Sequence, residues 1–335
     1  MKQLKLVEGY RSVLSLRDTQ KAIKFVKDTF QQRLAAALNL ERISAPLIVR
    51  GDSGLNDDLN GVERKVSFDM KEIGGRAEVV QSLAKWKRVA LQRYGFHEGE
   101  GLYTDMNAIR RDDDVDNDHS ICVDQWDWER VIGPEDRNLE FLQSIVRKIV
   151  EAVADTKERV KERFPALTGS IHRDVFFITS QELEDRYPSL TPKEREKEVV
   201  REHKTVFVMQ IGGALKSGQL HDGRAPDYDD WTLNGDLLFW NSVLEQPVEV
   251  SSMGIRVDAA ALKKQLAIRG NEDRLGYAYH KGIVEGTLPL TVGGGIGQSR
   301  LCLLLLEKLH IGEVLCSIWP EEMVRACREA GVQLL

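Results

Sequence analysis

Residues 293–309 read GGGIGQSRLCLLLLEKL, and the fold turns on how this stretch is read. Three glycines, one apolar residue and a fourth glycine lead to Arg300, and a leucine run follows. Glycine tolerates positive φ and lets another group approach the backbone closely. Residues 301–309 are apolar on nearly every side, which marks a helix buried in a domain core. A Gly-rich lead-in to such a helix leaves N–H groups at its start where an anion can sit. Arg300 would then stand at the floor of a nucleotide pocket. The alternative is a flexible turn before a core helix. The common nucleotide motifs do not decide between them, because Gln298 takes the sixth position of a G-x-G-x-x-G and no lysine follows the glycines.

Composition narrows the classes. A chain of 335 residues with 42% apolar and 30% charged residues is an ordinary globular protein able to bury a substantial core. We read residues 1–335 as one catalytic domain. The net charge of −6 argues against a broad nucleic-acid face. Cys122, Cys302, Cys316 and Cys327 form no CxxC pair, and the apolar surroundings of Cys302 and Cys316 predict buried, reduced thiols. The seven histidines include no HExxH. Neither a signal-peptide core nor a run of about 18 apolar residues is present, so no membrane partner and a cytoplasmic location are expected.

Upstream, Ile23, Val26, Phe30, Leu34 and Leu38 predict a long amphipathic helix with Asp18 as its N-cap and Asn39 closing it. Pro46 opens a short strand, the Gly/Asp/Asn-rich GDSGLNDDLNG follows as a loop, and Val66, Phe68 and Met70 alternate as in a half-buried strand over 65–71. A helix over 81–91 carries Lys87 and Arg88. The stretch 99–129 is the second informative region. One strand ends in Arg110 and Arg111, an acidic turn follows, and HSICVDQWDWE returns with Gln125, Asp127 and Glu129 on one face and Trp126 and Trp128 on the other. Arginines beside this polar row suit a nucleotide–metal–amino-acid site as well as a salt-bridged exposed sheet.

Thr191-Pro192-Lys193-Glu194 is a capping box that starts a helix running to His203. DGRAPDYDDW (222–231) is a dense loop, and a hairpin after it has Asp236 opening the first strand and Glu249, Ser251, Ser252 and Arg256 on the second. Acids on adjacent strands can hold Mg²⁺ among hard oxygens. Strand follows strand around these motifs, which predicts an α+β fold with a mainly antiparallel sheet flanked by helices.

These pieces resemble a known family. Pro46 after a long helix, Arg110 in a strand–loop–strand and GGGIGQSR before a helix match the three motifs of class II aminoacyl-tRNA synthetase catalytic cores. SLAKWKR, GEGLYT, VDQWDWERV, SQELEDRYP, RAPDYDDW, LNGD, SSMGIRVD and GGGIGQSRL are similar, over residues 17–320, to the asparagine synthetase A family of ammonia-dependent aspartate–ammonia ligases. The resemblance implies a homodimer that makes asparagine from aspartate, ammonia and ATP through a β-aspartyl-adenylate, with AMP and pyrophosphate released. It implies that Arg110 grips the α-phosphate, that Arg300 and Gly295 lie against the nucleotide, and that Asp236 and Glu249 bind Mg²⁺. Ser82, Lys87, Gln125, Asp127, Asp229, Ser251, Ser252 and Arg256 form the substrate-contacting set. Arg256 or Lys87 is expected to hold the aspartate α-carboxylate, and Asp229 or Asp127 its ammonium. Asp57, or its neighbour Asp58, is expected to take a proton from ammonium. Asp112 and Val123 depart from the synthetase pattern, which has glutamate and phenylalanine there. The rival is an aspartyl- or asparaginyl-tRNA synthetase-like paralogue, for whose anticodon-binding barrel the chain has no room before its first motif.

Overall fold

The computed structural model describes residues 4–57, 59 and 63–335, so Asp58 lies outside the described residues. The first helix, α1 (Leu16–Leu38), buries Ala22, Val26, Phe30, Leu34 and Leu38, one residue per turn. Its N-cap is Ser15, whose hydroxyl accepts the Asp18 N–H at 3.1 Å. Asp18, expected as the cap, sits instead in the first turn, where its charge complements the helix dipole. Asn39 ends the helix in the left-handed region, φ 55°, a conformation asparagine tolerates better than most residues.

Short strands β1 (Leu40–Arg42), β2 (Ile48–Arg50), β3 (Ser67–Asp69) and β4 (Arg76–Val79) follow, then α2 (Ala84–Tyr94). The strand expected over 65–71 shrinks to β3, with Phe68 exposed, because it pairs only at the edge of a small sheet ordered β2-β4-β3. Long strands β5 (Gly101–Ile109) and β6 (Cys122–Val131) form the predicted hairpin, and α3 (Leu139–Arg163) packs beside α1. Next come β7 (Phe176–Thr179), α4 (Ser180–Arg186), α5 (Pro192–His203) and β8 (Thr205–Met209). The Thr191 capping box forms with both of its hydrogen bonds. The β9 (Asp229–Asn241) and β10 (Gln246–Arg256) hairpin, α6 (Ala259–Arg269), α7 (Ala278–Val284), β11 (Thr291–Gly297), α8 (Gln298–Leu305) and α9 (Glu321–Glu329) complete the chain.

The main sheet has eight strands ordered β1-β5-β6-β11-β10-β9-β8-β7. Its interior is antiparallel as expected, but β1–β5 and β7–β8 pair in parallel, so the sheet is mixed. Each parallel pair is joined by a crossover, through the small sheet and α2 in one case and through α4 and α5 in the other. A hairpin cannot make such a pairing. One face of the sheet lies on α1, α3 and α8, with Trp126 and Trp128 wholly buried and the Phe30 and Trp126 rings 4.8 Å apart. Cys302 is buried there, whereas Cys316, expected inside, is exposed beyond the end of α8.

The GGG stretch is neither a loop nor an anion nest. It is β11, hydrogen-bonded on both sides by β6 and β10, and none of its glycines has positive φ. Its glycines accommodate crowding from the flanking strands. A Cβ on Gly293 would meet the Glu129 carboxylate, one on Gly294 the Met253 side chain, and one on Gly295 the Gln125 amide. The N-terminus of α8 already has its anion: the Ser299 N–H and hydroxyl each donate to the Asp124 carboxylate at 2.9 Å.

Candidate active site

Opposite the α1/α3 layer, the central strands wall a cavity of about 520 Å³. From β6 come Gln125 and Asp127, from the β9–β10 hairpin Asp229, Glu249, Ser251, Ser252 and Arg256, and from β11 Gly295. Ser82 and Lys87 enter from the start of α2, Arg110 from the end of β5, Asp57 from the loop before the small sheet's last strands, and Arg300 from α8. Of the residues the sequence proposed, only Asp236 among the described ones stands behind the wall rather than in it. It lies in mid-strand, not at the start of β9, because that strand already begins at Asp229 inside the supposed loop.

The floor is a buried ionic lattice. The Arg256 guanidinium spans two acids, donating from Nε and Nη2 to Glu129 at 2.9 and 2.7 Å and from Nη1 to Asp229. Three of its five hydrogens are thereby used. Burial pushes the Glu129 carboxyl up, but the charge and hydrogen bonds of Arg256 outweigh it and hold the group below its ordinary range. Asp229 goes the other way, its burial prevailing over Arg256. Lys87 is wholly buried and places its ammonium 2.5 Å from Asp127 Oδ1, 2.9 Å from the Trp128 carbonyl and 3.0 Å from the Gly294 carbonyl. All three of its hydrogens have acceptors, so Lys87 orients Asp127 and leaves Arg256 as the cation with donors to spare.

At the other end the cavity is built for an anion. The Nε of Arg110 is buried without a partner among the described residues. Arg300 is steadied by the Asp118 and Glu249 carbonyls, at 3.2 and 3.0 Å. His119, in the same wall, lies 2.8 Å from Asp116 and 3.0 Å from Asp118. Burial lowers its pKa, but those two carboxylates more than reverse the effect and favour the imidazolium. Asp112, one of the departures from the synthetase pattern, pairs with Arg64 at the rim, and that arginine's hydrogen bonds pull its carboxyl down to about 2. Val123, the other, lines the wall.

Asp57 is 2% exposed. Its Oδ1 accepts the Leu59 N–H at 3.0 Å, while Oδ2 is buried without a hydrogen-bond partner among the described residues. Burial raises its affinity for a proton, the charge of Asp227 adds to this, and Lys85 opposes it.

Asp236 and Glu249 can share one cation. A register shift between Glu249 and Ser251 sets Glu249 opposite Leu238 and Ser252 opposite Asp236, so residues three apart face the side Asp236 faces. Asp236 Oδ2 is taken by Arg224, and its Oδ1 is buried without a partner among the described residues. Burial and the nearby Glu249 and Asp222 hold its carboxyl up, to about 6, against the charge of Arg224. An orphaned carboxylate oxygen beside a second carboxylate is an oxygen donor set that fits Mg²⁺.

Sequence reading did not assign Arg224, Lys193, His119 or Tyr228 to this wall, though all four line it. Arg224 and Tyr228 lie in DGRAPDYDDW, which reads as a dense loop. Lys193 lies between Thr191 and Glu194, the two partners of a capping box, and nothing in that motif marks it.

A family model described as aspartate-ammonia ligase matches residues 17–331. The aspartate–ammonia ligase of Clostridium tetani is 58% identical over 334 residues, covering 99% of this chain and 98% of that protein. That of Lactobacillus johnsonii is 55% identical over 332 residues, covering 98% and 99%. Among solved structures, asparaginyl-tRNA synthetase from Pyrococcus horikoshii complexed with asparaginyl-adenylate superposes with a TM-score of 0.64 at 16% identity, over 90% of this chain and 70% of that one. The Entamoeba histolytica asparaginyl-tRNA synthetase in complex with asparaginyl-adenylate gives 0.65 at 14% identity, over 90% and 69%. The fold is shared with these two synthetases, and the chain belongs to the aspartate–ammonia ligase family.

Proposed function

We propose that this chain makes asparagine from aspartate, ammonia and ATP by adenylating the aspartate side chain and letting ammonia attack the β-aspartyl-adenylate. One observation carries the mechanism. A buried arginine nitrogen (Arg110 Nε) and a buried carboxylate oxygen (Asp57 Oδ2), each without a partner among the described residues, line the same cavity as Arg256 with its unused donors. Unpaired buried polar groups are costly and point to absent ligands.

The two spare hydrogens of Arg256 suit the aspartate α-carboxylate, and Asp127 and Asp229 beside it suit the α-ammonium. This directs the β-carboxylate toward the arginines. As its oxygen attacks the α-phosphate of ATP and pyrophosphate leaves, negative charge gathers on the phosphate oxygens. Arg110 and Arg300 are positioned to neutralise it, and Arg300 with Val123 to bound the adenine. Mg²⁺, held by Asp236 and Glu249, would supply the remaining charge neutralisation for the departing pyrophosphate. In the second half-reaction the nitrogen sheds protons on its way to the amide, and Asp57, with its raised proton affinity, is suited to accept one inside the site.

The test incubates purified protein with aspartate, ATP, Mg²⁺ and ammonium, then with glutamine in place of ammonium, following AMP and asparagine. Both products with ammonium alone support the reading. AMP without asparagine, or aspartate transfer only on adding tRNA, overturns it in favour of a synthetase-like paralogue. We further infer a homodimer that needs no nucleic acid, checked by light scattering and by adding tRNA to the same assay.

A further inference from the structure

A second cavity, of about 240 Å³, lies behind the segment that carries Asp57. Asn56, Lys85, Tyr277 and His280 are in its wall. Asn56 lines this cavity and Asp57 the active site, so adjacent residues contribute to the two walls. A buried ionic cluster joins them. Asp227 is 0% exposed and receives Lys85 Nζ at 2.8 Å, Arg274 Nη1 at 3.0 Å and His280 Nε2 at 3.0 Å, all on Oδ2. Both Asp227 and Lys85 also act electrostatically on Asp57.

His280 is the unusual member. It is 0% exposed, and its Nδ1 has no hydrogen-bond partner among the described residues. Burial raises the proton affinity of Asp227, but Lys85 and His280 outweigh it and keep the carboxylate ionised. An ionised carboxylate only accepts, so His280 Nε2 donates to Asp227, and Nδ1 is the ring nitrogen left without a partner among the described residues. The tyrosine rings of Tyr277 and Tyr279 lie 5.9 and 5.2 Å from the imidazole; Asp227, with Lys85 and Arg274 on the same oxygen, is its charged neighbour, and Lys65, Glu78 and Asp273 line the same cavity. The other Asp227 oxygen, Oδ1, is likewise buried without a partner among the described residues.

Amide formation from ammonium releases two protons. Ammonium loses one to expose its lone pair. Nitrogen then bonds to the carbonyl carbon, the C–O bond to AMP breaks with its electron pair leaving on the phosphate, and nitrogen loses the second proton. Among the described residues that line the active-site cavity, Asp57 carries the orphaned carboxylate oxygen. A second acceptor would let the two protons leave separately.

We propose that the second cavity binds ammonium, that His280 Nδ1 takes its first proton, and that ammonia passes Asn56 and Asp57 to the β-carbonyl, where Asp57 takes the second. The Asp227 carboxylate on Nε2 stabilises the imidazolium, as the acid does in an Asp–His pair. This assignment rests on the ligase reading.

The test is His280→Gln, which keeps an N–H toward Asp227 and removes the Nδ1 acceptor. Three rates are measured: aspartate-dependent exchange of labelled pyrophosphate into ATP without ammonium, asparagine formation against ammonium, and hydroxamate formation with hydroxylamine. Hydroxylamine is largely uncharged at neutral pH and needs no first acceptor. Exchange and hydroxamate formation should stay within about threefold of the parent, while kcat/KM for ammonium falls on the order of 10²-fold. Equal losses with both nucleophiles, or no loss with ammonium, overturn the proposal. Absence of exchange in the parent protein overturns the ligase reading itself. Should the variant fail to fold, Asn271→Trp, in the wall of the same cavity, should raise KM for ammonium about tenfold by obstructing the route. It should leave KM for ATP and aspartate unchanged. An unchanged ammonium KM refutes the route.

Discussion

Gly293→Ala would put a methyl group where the central ion pair lies. The added Cβ would stand 1.9 Å from Glu129 Oε2 and 2.7 Å from Arg256 Nη2, so the carboxylate must retreat by about 1 Å. It has little room. Glu129 is 0% exposed and held by Arg256 at 2.7 and 2.9 Å and by the Thr291 hydroxyl at 2.7 Å, with Lys87 at 3.7 Å. Overpacking a core typically costs about 1–3 kcal/mol, and removing one partner of a buried charge pair about 3–5 kcal/mol. Here the pair is distorted, not deleted, so the expected loss is about 3 kcal/mol, a large share of a stability of about 5–15 kcal/mol. Urea unfolding reads it as a lower midpoint at unchanged slope. Gly295→Ala is the contrast. Its Cβ would meet Gln125 Oε1 at 2.4 Å, the free end of an amide that can swing into the cavity. Stability should fall by no more than about 1 kcal/mol, while KM for aspartate rises as the displaced amide fills its site. If Gly293→Ala unfolds within about 0.5 kcal/mol of the parent and Gly295→Ala is the destabilised variant, the account of these glycines is wrong.

Asp57→Asn tests the burial of that carboxyl. Because its folded-state proton affinity is raised, its contribution to stability is greatest below the ordinary carboxylate range and is lost as pH rises through the folded value. The variant should therefore melt higher than the parent near about pH 8 and alike near about pH 4, with asparagine synthesis reduced on the order of 10²-fold. Equal melting at the higher pH counts against a buried, charged Asp57. Asp236→Asn should raise the Mg²⁺ concentration for half-maximal pyrophosphate exchange by about tenfold, and an unchanged titration removes Asp236 from the metal site. Thr191→Ala deletes a capping box two residues before Lys193, which lines the cavity. It should cost about 1 kcal/mol in unfolding while leaving turnover as it was, and a change in turnover would show that α5 and Lys193 are coupled to the site.

Much of the fold was legible because it rests on local physics. The four-residue spacing along α1, the Asn39 stop, the Thr191 box and the alternation along β6 each depend on a few neighbouring residues and came out as read. So did the opposition of Gln125 and Asp127 to the two tryptophans, since successive side chains on a strand point to opposite faces. The errors have physical causes too. Glycine was taken as freedom to bend because the crowding that demands it in β11 comes from β6 and β10, more than a hundred and a few dozen residues upstream. The helix N-terminus was taken as open because its anion, Asp124, is equally remote.

By itself, then, the sequence determined the long helices, the faces of β6 and, through motif strings, many of the residues that the cavity wall gathers. The tertiary structure decided what those residues are free to do. Lys87 has spent its hydrogens on Asp127 and two carbonyls, whereas Arg256 keeps two donors. Asp236 sits behind Arg224, and the parallel edges of the sheet follow from crossovers. Propensity and periodicity act over a few residues, but a side chain's remaining hydrogen-bonding capacity and charge state depend on partners brought from distant parts of the chain, and only packing specifies those.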